Sequence, residues 1–210
     1  MDKDYWNKIY KGNSVINKPS DFAIFCQNNF FSKNQSLVDI GAGNCRDTLY
    51  FLSNKLNVHS IDQSLPKIRN LIINKSIELS IHNCNFYKDD FVNFEYEKIK
   101  KIDIYYSRWT LHAINLKDEE KLFENITKNF KKDNLFCIEA RTTNDHLYGK
   151  GKLVEKNAFF SDHFRRFIDL NEFNKKVLNY GFKVLYLEES NNFSKTIEDD
   201  PILFRAILSK

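Results

Sequence analysis

Val38-Asp39-Ile40-Gly41-Ala42-Gly43 ends a short apolar run with a carboxylate and two closely spaced glycines. Glycines in such a turn admit a positive φ and let a ligand approach the backbone. The next apolar run, over residues 57–62, ends in Asp62, 19 residues after Gly43. A carboxylate at that place can accept both hydroxyls of a ribose. Asp39 sits poorly beside a pyrophosphate but well beside a cationic ligand. The dinucleotide fingerprint also asks for a third glycine where this chain has Arg46.

The second group of reactive residues is basic. Lys and Arg total 32, of which only seven are Arg, and five of those stand in motif-like places: Arg46, Arg108, Arg141, Arg165 and Arg166. Guanidinium groups form paired, charge-assisted bonds to phosphate or carboxylate, a geometry that Lys does not reproduce. Arg108 and Arg141 end apolar runs, and converging arginines there suit an anionic acceptor. His112 and His163 lie in the same stretches and could act as bases of near-neutral pKa. For the histidines a structural role is the competing reading, and Arg165 and Arg166 could instead clamp their segment to acids on the domain.

These groups need elements to hold them. Ser20 or Asp21, after Pro19, predicts a capped helix through Phe31. SLVDI reads as a strand, and residues 46–56 space Leu49, Leu52 and Leu56 at helical intervals. A strand ending in Asp62 follows, then a helix from Ser64 to about Lys75, with Pro66 in its first turn. The alternation continues with a strand at Asn85–Tyr87, the turn Lys88-Asp89-Asp90, and the strand KIDIYYS. A helix over Lys117–Phe130 and the strand NLFCIEAR come next. The polar stretch from Thr142 to Ile168 precedes a helix from Asn171 to Tyr180, which Gly181 should terminate. FKVLYLEE and PILFRAILS are two closing strands. Such alternation predicts one three-layer α/β domain over residues 1–210, with a mostly parallel seven-stranded sheet and an antiparallel C-terminal hairpin.

Composition narrows the function. The 210 residues carry a formal net charge of +4 with no block of like charges, so a nucleic-acid tail is not indicated. Four cysteines without C-x-x-C spacing suggest free thiols in a reducing cytoplasm and no metal site. No apolar run is long enough for a membrane span, and the polar start lacks a leader-like segment.

The motifs LVDIGAGN, HSIDQS and KDDF, in that order, resemble those of class I S-adenosylmethionine-dependent methyltransferases, and the likeness runs over the whole chain. The resemblance implies a Rossmann-like methyltransferase fold and S-adenosylmethionine as cofactor. It places Asp39, Gly41 and Gly43 along the methionine and ribose portion, and Asp62 on the ribose hydroxyls. Gln63 falls beside the adenine, and Asp90 with Phe91 reads the adenine edge, with Asp89 as the register alternative. In relatives an arginine at the position of Arg46 lies near the cofactor carboxylate, or it pairs with a nearby acid. DIYYSRW resembles the strand end where a backbone carbonyl often holds the cofactor ammonium, which points to Tyr106 to Arg108, Tyr106 and Ser107 first. Cys45 departs from the small residue usual there. Residues 1–35, with Tyr5, Trp6 and Tyr10, resemble a lid, and residues 142–170 an insertion that closes over the acceptor.

SRWTLHAI with DHFRRF resembles a small bacterial subgroup found in surface-polysaccharide or tellurite-resistance-like settings. The expected function is therefore methylation of an oxygen on a small anionic acceptor, a phosphate-bearing sugar or nucleotide-linked precursor. His112 and His163 are the expected catalytic residues, and Tyr5, Arg108, Arg141, Arg165 and Arg166 the acceptor contacts. Other small-molecule acceptors, thiol-like or carboxylate, and a catalytically silent cofactor-binding partner are the alternatives. Nucleic-acid amino methylation is disfavoured, because Ser107-Arg108-Trp109-Thr110 stands where those enzymes carry a Pro-Pro stretch.

Overall fold

The computed structural model describes residue 5 and residues 18–63, 83–195 and 199–210. Trp6, Tyr10 and the helix expected from Ser64 lie outside the described residues.

Strand β1 (Ser36–Ile40) pairs in parallel with β2 (Asn57–Ile61) on one side and β4 (Ile104–Arg108) on the other. β3 (Cys84–Tyr87) extends the sheet beyond β2, and β5 (Leu135–Arg141) extends it beyond β4. The last two strands, β9 (Lys183–Ser190) and β10 (Leu203–Ser209), run antiparallel, with β10 against β5 and β9 at the edge. The order β3-β2-β1-β4-β5-β10-β9 reverses direction between β1 and β4. In an open α/β sheet the crevice outside the carboxyl ends of two such strands is where ligands bind.

Successive strand residues point to opposite faces. Val38, Tyr105, Phe136 and Leu208 enter one core, beneath helices α3 (Leu116–Asn129) and α4 (Leu170–Asn179). Their neighbours Leu37, Tyr106, Cys137 and Ile207 enter the other, beneath α1 (Asp21–Asn29) and α2 (Arg46–Ser53). The result is the expected three-layer arrangement of helices on both faces of a mixed sheet.

Helix ends follow their caps. Ser20 accepts from the Ala23 N–H, Asn115 from Asp118, and Asp169 from both Asn171 and Glu172. α2 stops at Ser53, short of Leu56, because Lys55 turns left-handed at φ 68°. Gly181 ends α4 at φ 79°, its N–H donating to the Leu178 carbonyl.

Residues 142–168 hold three short strands that the sequence did not announce. β6 (Lys152–Glu155), β7 (Ala158–Phe160) and β8 (Phe164–Arg166) form a separate antiparallel sheet. Arg166 fastens it to the body: its guanidinium donates to the carbonyls of Ile114 (3.0 Å) and Leu111 (3.1 Å) and pairs with Glu119. Lys176 of α4 reaches the same Glu119.

Candidate active site at the carboxyl ends of β1, β2, β4 and β5

The glycine turn is held by backbone and by one carboxylate. Gly41 and Ala42 both donate to the Ile61 carbonyl, at 2.9 and 3.1 Å, and Gly43 donates to Asp62 Oδ2 at 2.9 Å. Gly41 has φ 69°, and a Cβ there would stand 2.4 Å from Thr110 Cγ2. Both facts demand glycine. Cys45 then takes a left-handed φ of 58° and α2 begins at Arg46. The small thiol is fully buried.

Three carboxylates surround this turn. Asp39, 3% exposed, accepts from the Thr48 hydroxyl at 2.5 Å, and Thr48 in turn meets Ser60 at 2.9 Å. Burial raises the Asp39 carboxyl to about 7 against the pull of Thr48, and the charges of Asp47 and Asp62 push the same way. Asp47, also buried, accepts from the Ser20 N–H, the Ser20 hydroxyl and the Tyr106 hydroxyl. Asp62 is 8% exposed at the tip of β2, with Gln63 half-buried beside it. Three carboxylates thus stand close together at the turn, with Arg46 beside one of them. That chemistry fits a ligand with a sulfonium and an ammonium.

Beyond β3, Asp90 spends its carboxylate locally, accepting from the Val92 N–H at 3.0 Å and the Asn93 amide at 2.5 Å. Asp89 accepts from the Asp90 N–H and is otherwise exposed. Phe91 is buried and faces the glycine turn, its ring 3.5 Å from where a Gly41 Cβ would stand. Tyr106 and Ser107 lie in the second half of β4 with buried side chains, and the Ser107 and Thr110 hydroxyls are in contact.

Near the ends of β4 and β5, buried Glu139 of β5 lies between two arginines. Arg108 Nε is 3.0 Å from one of its oxygens, and Arg205 Nε donates to the other at 2.8 Å. The Arg108 guanidinium also covers the Trp109 ring at 4.5 Å. Arg141, 4% exposed, pairs with Asp145 at 2.8 Å and with Asp199. Arg46 is half-buried, 3.7 Å from Asp47, and its pKa is lowered by burial and by Arg108. Arg165 is 3.8 Å from Asp162, its pKa lowered by burial and by Arg141.

His112, 2% exposed, has its pKa held well below the ordinary histidine value by burial, and next by Arg141 and Arg165. It is therefore a neutral imidazole at neutral pH. His163 is buried, with Nδ1 3.0 Å from Asp162 and the Tyr5 ring stacked on it at 3.9 Å. The Tyr5 hydroxyl donates to Asp162 at 3.3 Å. Tyr5 thus stands against the insertion.

Sequence reasoning passed over Thr48, Trp109, Glu139 and Arg205. An acid within the apolar run Ile138-Glu139-Ala140 was the available signal for one of them. Arg205 lies directly opposite Glu139 across the β5–β10 pair, a relation visible only once the register is known.

A family model described as a methyltransferase domain matches residues 31–192. The chain belongs to this methyltransferase-domain family. Solved structures share the family fold at low identity. The 1,6-didemethyltoxoflavin-N1-methyltransferase of Burkholderia thailandensis, solved with 1,6-didemethyltoxoflavin and S-adenosylhomocysteine, is 14% identical with a TM-score of 0.74, covering 99% of this chain and 85% of that one. An S-adenosylmethionine-dependent methyltransferase of Clostridium acetobutylicum is 15% identical with a TM-score of 0.66, covering 98% and 96%. The [4+2]-cyclase SpnF is 12% identical with a TM-score of 0.66, covering 95% and 84%. No curated protein matches the sequence. Among the described residues no helix is long and apolar enough to cross a membrane.

Proposed function

We propose that this chain is an S-adenosylmethionine-dependent methyltransferase that methylates an oxygen of a small anionic acceptor in the cytoplasm. A phosphate-bearing sugar or nucleotide-linked precursor of a surface polysaccharide is the acceptor class that the SRWTLHAI and DHFRRF stretches favour. The observation that carries the cofactor reading is the buried carboxylate Asp39, raised to about 7 beside Asp47 and Asp62 at a glycine turn that a Cβ would block.

When bound, S-adenosylmethionine supplies a methyl group activated by a positively charged sulfur. Asp62 takes the ribose hydroxyls, and Gly41 and Gly43 leave the backbone open along the methionine. Gln63, Phe91 and one of Asp89 or Asp90 hold the adenine. The spent carboxylate of Asp90 favours Asp89. The ends of Tyr106 and Ser107 hold the ammonium, with Arg46 near the carboxylate.

Arg108, Arg141 and Arg165 offer guanidinium groups to the acceptor side, each beside an acid of the domain, and Tyr5 with His163 closes one wall. Neutral His112 can accept a hydroxyl proton. Arg166 is assigned to fastening the insertion. Alignment and exclusion of water supply much of the rate in such a displacement, roughly 7–11 kcal/mol for well-positioned reactants.

Fold alone does not fix the reaction, as the cyclase neighbour illustrates. The test is calorimetric binding of S-adenosylmethionine to the wild type and to Asp62→Ala, with transfer of labelled methyl to small molecules of a cognate extract. Binding that Asp62→Ala abolishes, together with labelled product, supports the reading. Unchanged affinity or no transfer overturns it.

A further inference from the structure

The connection that follows β4 concentrates features that protein interiors ordinarily avoid. Trp109 has φ 60°, in the left-handed region. For a bulky aromatic this conformation costs about 1–2 kcal/mol. Its backbone N–H is fixed to the Glu139 carbonyl at 2.8 Å, and the Arg108 and Arg141 guanidinium carbons lie 4.5 and 5.5 Å from the indole centroid. The ring is thus positioned from several sides. Yet its Nε1 is shut off from solvent and meets no hydrogen-bond partner among the described residues.

His112 repeats the pattern. Its ring stands 5.6 Å from the indole, and its Nδ1 is likewise buried without a hydrogen-bond partner among the described residues. A buried polar atom left unpaired costs about 1–3 kcal/mol. Two of them on adjoining rings, beside a strained backbone, mark a place where a ligand completes the hydrogen bonding. The arginines here are already engaged, Arg108 with Glu139 and Arg141 with Asp145 and Asp199. Besides Arg108 Nε, the indole N–H is the buried donor here that meets no hydrogen-bond partner among the described residues.

We propose that Trp109 and His112 form a donor–acceptor pair that reads a hydroxy-anion. Trp109 Nε1–H donates to a carboxylate or phosphate oxygen of the acceptor, and the His112 ring nitrogen takes the proton of its neighbouring hydroxyl. An indole N–H only donates, and a neutral imidazole offers one lone pair, so the two atoms ask for complementary groups. This deepens the methyltransferase reading and rests on it. In the transfer, the hydroxyl oxygen bonds to the methyl carbon as the carbon–sulfur bond breaks, its electrons staying on sulfur, and the hydroxyl proton passes to His112. Trp109 is then a specificity residue, which selects acceptors bearing an anionic oxygen close to the methylated hydroxyl.

The test uses the full chain, labelled with nitrogen-15 and saturated with S-adenosylhomocysteine. The indole signals of its two tryptophans are told apart in the Trp6→Phe variant. Glycerate, glycerol 3-phosphate and glucose 1-phosphate are titrated, with propyl phosphate as a probe lacking the hydroxyl. The expected result is a saturable shift of the Trp109 indole N–H and of a His112 ring nitrogen with at least one hydroxy-anion. Propyl phosphate should bind at least tenfold more weakly, and Trp109→Phe should weaken hydroxy-anion binding about tenfold or more, the scale of one hydrogen bond to a charged group. An indole signal that none of the three moves overturns the proposal, as does Trp109→Phe binding within twofold of wild type. The wild-type titration decides the matter even where Trp109→Phe fails to fold. Failure to bind S-adenosylhomocysteine at the outset overturns the methyltransferase reading instead.

Discussion

Ser20 donates both its backbone N–H and its hydroxyl to the carboxylate of Asp47, each at 2.7 Å. The cap of α1 is thereby tied to the first turn of α2, which opens at the glycine turn, and Tyr106 of the central sheet joins the same carboxylate at 2.9 Å. Ser20→Ala should lower the unfolding free energy by about 1–2 kcal/mol, the scale of a lost cap. Asp47→Ala leaves the Ser20 N–H buried without this acceptor and the Tyr106 hydroxyl with only Ser20 Oγ at 3.2 Å, and should cost more, about 3 kcal/mol. Urea denaturation of the two variants checks the order. A smaller loss for Asp47→Ala would show that the carboxylate is not the anchor.

Gly41→Ala places a methyl 2.4 Å from Thr110 Cγ2 at φ 69°. The turn must shift to admit it, and cofactor affinity should fall by more than tenfold at a stability cost of about 1–3 kcal/mol. Calorimetry with S-adenosylhomocysteine measures the affinity. A variant that binds as wild type would mean that the turn does not line the cofactor.

Asp39 gives the site a pH dependence whose sign is fixed. Its carboxyl rises from 3.8 to about 7 on folding, first through burial and then through the charges of Asp47 and Asp62, while Thr48 and Arg108 oppose the rise. The folded chain therefore holds a proton that the unfolded chain releases between about pH 4 and 7, and stability without cofactor should decline as pH rises through that window. A cationic ligand favours the ionised form. Its binding near pH 6.5 should expel close to one proton, and affinity should climb toward pH 8. Calorimetry in two buffers of different ionisation enthalpy counts the proton. Asp39→Asn should expel none.

Arg108 and Arg166 separate two roles that the sequence left open. Arg108→Lys loses the planar fork that faces both Glu139 and Trp109 and should raise the acceptor KM about tenfold, leaving S-adenosylmethionine affinity within twofold. Arg166→Met breaks a pair with Glu119 in which both side chains are nearly buried, and should cost about 3–5 kcal/mol of stability. Steady-state kinetics and thermal unfolding read the two effects. Equal effects on KM would place Arg166 in the acceptor site.

The elements around the glycine turn were legible because each combines an apolar run with a punctuating residue. Asp39, Asp62 and the glycines stand at strand ends, and Ser20 and Gly181 mark helix limits. The insertion was not legible, because β6, β7 and β8 are three or four residues long and partly exposed, leaving no alternation to read. The role of Arg205 was hidden for another reason. Its partner Glu139 lies 66 residues away, and only the antiparallel register sets them opposite each other.

Arg166 grips the backbone carbonyls of Leu111 and Ile114 as well as Glu119. Carbonyls do not change when side chains do. The small sheet of the insertion and the loop it covers can therefore exchange residues freely over generations without losing their attachment. Replacing Leu111 or Ile114 leaves that part of the attachment intact, and only the pair with Glu119 depends on a particular side chain.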